Sequence, residues 1–104
     1  MQSEKALEKQ IRDYCKLVGI DVLLNSQNRK SRGGSYTAIG GHKGLPDLCV
    51  FHNGKTIWIE LKTPIGKVSE DQKKFHDMLK SNKVPIYVVR SFSGFMSVLK
   101  VESK

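Results

Sequence analysis

The sequence predicts an α/β fold, a mixed β-sheet flanked by helices, built as an αβββαβ core with a C-terminal helix. Three observations predict it. An apolar stripe at helical spacing opens the chain, an Asn-Gly pair sits between two short apolar runs near its middle, and an uninterrupted apolar run follows a second helical segment. The 104 residues suit a single domain spanning 1–104. With 38% apolar and 27% charged side chains, the composition is that of a folded chain.

Leu7, Ile11, Tyr14, Cys15 and Val18 form one stripe of an amphipathic helix over Glu4–Val18. Ser3 is placed to cap its start and Gly19 to end it. Glu4 and Glu8 project toward the edge of that stripe, either as surface charges near the helix N-terminus or as carboxylates aimed into a shared cleft. Val22-Leu23-Leu24 begins a strand. Leu48–Phe51 and Thr56–Ile59 are strands around Asn53-Gly54, because a type I′ hairpin turn requires positive φ at both central positions. Ser69-Glu70-Asp71-Gln72 opens a second helix that carries Phe75, Met78 and Leu79 and ends near Asn82. Ile86-Tyr87-Val88-Val89 reads as a strand buried on both faces. It follows a helical crossover, so it runs parallel to the strand before that helix. Phe92, Phe95, Met96 and Leu99 have helical spacing and close the chain.

Eighteen Lys and Arg against ten Asp and Glu give a net charge of +8. No acid lies between Asp21 and Asp47, whereas Arg29, Lys30, Arg32 and Lys43 do, among Gly33, Gly34, Gly40, Gly41 and Gly44. That stretch is expected to be a long, mobile, basic loop that neutralises phosphates, which makes nucleic acid the partner. No apolar run approaches the roughly 18 residues of a membrane span, and the N-terminus lacks the basic-then-apolar pattern of a signal peptide. Cys15 and Cys49 stand far apart in no CxxC pattern. A cytoplasmic protein with no membrane segment, disulfide framework or zinc site is expected. The paired glycines match no phosphate-binding Walker pattern, so no nucleotide cofactor is expected. His42, His52 and His76 have no metal-ligand spacing and are expected as surface or loop histidines.

A two-residue Asn53-Gly54 loop pairs His52 with Lys55, Phe51 with Thr56, Cys49 with Trp58 and Asp47 with Glu60. Leu48, Val50, Ile57, Ile59 and Leu61 then share one apolar face, the core face. The opposite face carries Cys49, Phe51, Thr56 and Trp58, with Asp47, Glu60 and Lys62 at one end; Phe51 and Trp58 are expected to pack under the first helix. Directly opposed residues hold their Cβ atoms about 4.5–5.5 Å apart, and like charges there are destabilising. Either Lys62 neutralises one carboxylate and solvent screens the other, or the pair holds a divalent cation. Mg²⁺ takes one or two protein carboxylates and completes its shell with water and phosphate oxygens. Such an ion lowers the pKa of a bound water and offsets charge on a phosphodiester. A lysine beside it can orient that water or stabilise transition-state charge.

Gly44-Leu45-Pro46-Asp47, followed thirteen residues after the aspartate by Glu60-Leu61-Lys62, resembles the PD-(D/E)xK nuclease signature. With the Glu-bearing first helix, the hairpin and the Ser/Gln helix, the chain resembles the stand-alone VRR-NUC (virus-type replication-repair nuclease) domains of phages. The resemblance implies a restriction-endonuclease-like fold and Mg²⁺- or Mn²⁺-dependent hydrolysis of DNA. It implies a metal site from Asp47, Glu60 and the carbonyl of Leu61, with Lys62 as the catalytic lysine. The family's first-helix glutamate, a further or water-mediated metal ligand, falls on Glu8, with Glu4 the competing position. Gln72 matches a recurrent glutamine of these domains that touches substrate or braces the site, yet Ser69-x-x-Gln72 is equally a capping box. Small members of the group are similar to Holliday-junction resolvases, which implies a homodimer acting on branched DNA, in a bacterial host cytoplasm if the source is a phage. Phe92, Phe95 and the terminal helix would supply the dimer patch unless they are ordinary core. Two rival functions remain: a non-catalytic basic DNA-binding protein, and a nuclease of this fold acting on RNA or on linear DNA ends.

Overall fold

Ser3 and Gly19 set the limits of the first helix, as expected. In the computed structural model, which describes residues 1–25 and 44–104, α1 spans Glu4–Val18, Ser3 Oγ accepts from the Ala6 N–H, and Gly19 ends the helix at φ 80°. β1 (Asp21–Leu24), β2 (Leu48–His52) and β3 (Lys55–Leu61) follow. α2 (Glu70–Ser81), β4 (Ile86–Val89) and α3 (Phe92–Glu102) complete the chain. The sheet order is β1-β2-β3-β4. β1 and β3 each run antiparallel to β2, and β4 lies parallel to β3, as the crossover requires. This is a four-stranded mixed sheet with helices on both faces, a restriction-endonuclease-like α/β architecture. Among the described residues no helix is long and apolar enough to cross a membrane.

Asn53 and Gly54 adopt φ of 54° and 72°, the geometry a type I′ turn demands. They lock the predicted register: Leu48 faces Ile59, Cys49 faces Trp58 and His52 faces Lys55. Leu48, Val50, Ile57, Ile59 and Leu61 are all at most 2% exposed and share one cluster with Leu7, Ile11 and Cys15 of α1 and with Phe95, Val98 and Leu99 of α3. Both of those helices therefore cover the same sheet face. Cys15 and Cys49 are buried free thiols.

Two expectations are corrected here and one open alternative is decided. Phe51 and Trp58 do not lie under α1, because α1 packs on the opposite face; Phe51 is 42% exposed. β4 is not buried on both faces. It is an edge strand whose Tyr87 and Val89 meet the core while Val88 is 39% exposed. Phe92 and Phe95 are core rather than a free patch: Phe95 is fully buried, and the Phe92 ring meets Tyr14 edge-on with centroids 5.5 Å apart.

Candidate active site

The register that buries Leu48 against Ile59 places Asp47 opposite Glu60, just beyond the last paired residue of β2. On β3 the even-numbered residues bond toward β4, since the N–H groups of Trp58 and Lys62 donate to the carbonyls of Pro85 and Val89. Leu61 therefore turns its backbone toward β2. Its N–H donates to Asp47 Oδ2 at 2.7 Å. The ladder position opposite Leu61 is Pro46, which has no N–H to give. Among the described residues, strand pairing thus offers the Leu61 carbonyl no ladder donor beside the Asp47 carboxylate.

Glu60 is only 1% exposed. Alternation puts it on the sheet face away from α1, where α2 covers it. Gln72 Nε2 donates to Glu60 Oε2 at 3.1 Å. The other end of the same amide accepts from the Ser69 N–H at 2.8 Å, and Ser69 Oγ accepts from the Gln72 N–H. Gln72 is thus capping-box partner and brace at once. His76, expected at the surface, is 6% exposed with Nε2 3.3 Å from Glu60 Oε1. The sign that could have found it is its spacing, one helical turn beyond Gln72 on the same face.

Burial, above all, and then the hydrogen bond and charge of Asp47 push the Glu60 carboxyl up to about 9. Lys62 acts in the opposite sense, and Glu4 adds to the rise. Burial holds the His76 imidazole below its usual range, with Lys80 and Lys62 contributing and Asp77 opposing. Of the two glutamates on α1, then, Glu4 is the one whose charge is felt at Glu60. Glu8 stands about 6 Å further along the helix axis and faces Arg12 across 3.7 Å.

Two further contacts position the loops around the site. Gly44, at φ 80°, brings its Cα so close to α2 that a Cβ there would stand 2.3 Å from the Asp71 carbonyl oxygen and 2.8 Å from Gln72 N. The loop carrying Asp47 is thereby seated on the first turn of the helix carrying Gln72. After Lys62, Arg90 Nη1 donates to the carbonyls of Thr63 at 2.8 Å and Gly66 at 2.6 Å, pinning the turn that follows the lysine to the end of β4.

Two carboxylates and a carbonyl make an all-oxygen donor set, suited to a hard cation that keeps several waters. Among the described residues no three side chains of His, Cys, Asp or Glu converge into a closed metal cage. The opposed pair, one member buried and pushed toward its neutral form, fits a divalent cation that would offset its charge. Arg29, Lys30, Arg32, Lys43 and His42 lie outside the described residues. His52 is far from the site, with Nε2 2.8 Å from Ser103 Oγ.

No curated protein and no solved structure matched the chain. The VRR-NUC domain model matches residues 36–93, a stretch that holds Asp47, Glu60, Lys62, Gln72 and His76 and stops short of α1 on one side and of most of α3 on the other. With more than half of its length matched, the chain belongs to the VRR-NUC family of nucleases.

Proposed function

We propose that the protein is a Mg²⁺- or Mn²⁺-dependent DNA endonuclease that hydrolyses phosphodiester bonds and selects branched DNA. The opposition of Asp47 and Glu60 across the β2–β3 register carries the reading, with the Leu61 carbonyl, which faces a proline in the ladder, and Lys62 beside them. Asp47, Glu60 and the Leu61 carbonyl would hold the cation. When bound, that ion supplies a water of lowered pKa and offsets charge building on the phosphodiester. Lys62 orients the attacking water or stabilises charge at the reacting phosphate. Gln72 keeps the Glu60 carboxylate aimed. The first-helix position falls to Glu4 rather than Glu8, because Glu4 acts on Glu60 while Glu8 faces Arg12. Arg29, Lys30, Arg32 and Lys43 would contact DNA phosphates. One chain carries one such site, so paired cutting of a junction calls for a two-fold symmetric homodimer.

A purely DNA-binding role is disfavoured, since opposed carboxylates weaken a phosphate-binding surface. The decisive assay incubates the protein with supercoiled, linear and four-way-junction DNA in Mg²⁺, Mn²⁺ or EDTA. Cleavage that requires metal and favours the junction is expected, with a mass by light scattering of about twice 11.7 kDa. DNA binding without cleavage in either ion would leave the non-catalytic reading, and cleavage of linear ends alone would replace the branched substrate.

A further inference from the structure

Helix α2 reaches the buried Glu60 carboxylate through two side chains, and only one of them serves the capping box. The other, His76, has no helix terminus to cap. A buried imidazole is costly to place without a hydrogen-bond partner, and the partner here is Glu60 Oε1 at 3.3 Å. Gln72 takes Oε2 and His76 takes Oε1, so two groups one turn apart fix both oxygens of one carboxylate. We infer that His76 is a positioning residue of the metal site, its Nε2–H holding Glu60 in the orientation that presents the carboxylate to a cation shared with Asp47 and the Leu61 carbonyl. The inference rests on the metal-dependent reading proposed above.

The chemistry is consistent at each atom. A cation would hold Glu60 in its ionised form, which only accepts, so the ring would then donate from Nε2. Each carboxylate oxygen offers two lone-pair directions, so one can accept from α2 while the other faces a metal. Partners that orient a metal ligand from outside the coordination sphere are typically worth about 10–100-fold in metal affinity or activity.

The test measures Mn²⁺ affinity by electron paramagnetic resonance on the full chain and on His76→Gln, His76→Asn and His76→Leu. A glutamine amide reaches the position of Nε2, whereas an asparagine amide stops near Nδ1. His76→Gln is expected to keep close to wild-type affinity, while His76→Asn and His76→Leu lose about 10-fold or more. DNA binding in EDTA should stay unchanged in all three. If His76→Leu fails to fold, the Gln–Asn contrast decides on its own. Wild-type Mn²⁺ affinity in His76→Asn overturns the inference while leaving the nuclease reading intact. A wild-type protein that neither binds Mn²⁺ nor cuts DNA overturns both.

Discussion

Asp47 and Glu60 stand opposed at the end of the β2–β3 hairpin, with Glu60 almost fully buried. Removing the Asp47 charge lifts part of what opposes ionisation of Glu60, the rest being burial. Asp47→Asn keeps an oxygen that can accept from the Leu61 N–H, so the metal-free variant should melt no lower than wild type while cleavage falls by at least about 100-fold. Gross unfolding seen by circular dichroism would instead make Asp47 structural. The two helix-1 glutamates separate in the same way. Glu4→Gln should weaken Mn²⁺ binding by about 10-fold or more, and Glu8→Gln should change it little; the reverse order would restore Glu8 as the site residue. The opposition of Asp47 and Glu60 was legible in the sequence because Asn53-Gly54 admits one hairpin register, and register decides which side chains face each other. Glu4 against Glu8 was not legible. They share a helix face, and which of them lies nearer Glu60 depends on how α1 docks on the sheet.

At the scale of elements, the site is held by contacts between segments that no local pattern announces. Gly44 is the clearest case, since its freedom is needed both for φ 80° and for the close approach to Asp71. Gly44→Ala should cost at least about 1–2 kcal/mol from the left-handed backbone alone. The clash with α2 comes in addition, and cleavage should fall with it because Asp47 rides on the same loop. Wild-type melting and activity would show that the loop does not depend on that seat. The far end of the sheet is pinned differently. Tyr87 of β4 donates to Glu102 of α3, which also pairs with Lys55 Nζ at 3.2 Å. The bond holds Glu102 below its ordinary carboxylate range and pushes Tyr87 up to about 12. A lowered acid contributes stability above its unfolded pKa and loses it as pH falls through the folded one. A raised tyrosine contributes below 10.0 and loses its share as pH rises through about 12. Tyr87→Phe should therefore melt below wild type by the equivalent of about 1.5–3 kcal/mol near neutrality, with the gap closing in acid and again at high pH. A gap independent of pH would assign the loss to packing instead. The elements themselves were readable from periodicity and caps. Their faces were less so: an apolar run such as Ile86–Val89 reads alike at the centre or edge of a sheet, and Phe51 and Trp58 alternate correctly whichever face α1 covers.

Charge belongs to the molecule as a whole. Residues 26–43 carry four of the eighteen basic side chains and none of the ten acids, so half of the +8 falls on that short stretch. The remaining residues hold fourteen basic side chains against ten acidic ones, three of the acids being Glu4, Asp47 and Glu60. A surface so constituted binds a polyanion poorly near the carboxylates, so on the proposed reading affinity comes largely from the basic stretch. That division was visible in the sequence, because charge placement along the chain needs no tertiary contact to be read. His76 was not visible, because its burial exists only once α2 lies on β3. The expected consequence is a separation of binding from chemistry. Substituting Arg29, Lys30 and Arg32 together by alanine should weaken DNA binding in EDTA and flatten the slope of log affinity against log salt. Each duplex phosphate that is no longer neutralised takes about 0.9 off that slope, so three such phosphates take off up to about 2.7. On the proposed reading, Lys62→Ala removes a single charge that acts at the reacting phosphate rather than along the backbone. It should lower turnover by about 10²–10³-fold while changing the slope by no more than about 0.9. Fluorescence anisotropy across a salt series, on both variants and the wild type, measures all three slopes. An unchanged slope in the triple variant would move DNA binding to the surface of the sheet and helices, and a triple variant that binds normally yet fails to cut would place those side chains in the chemistry instead.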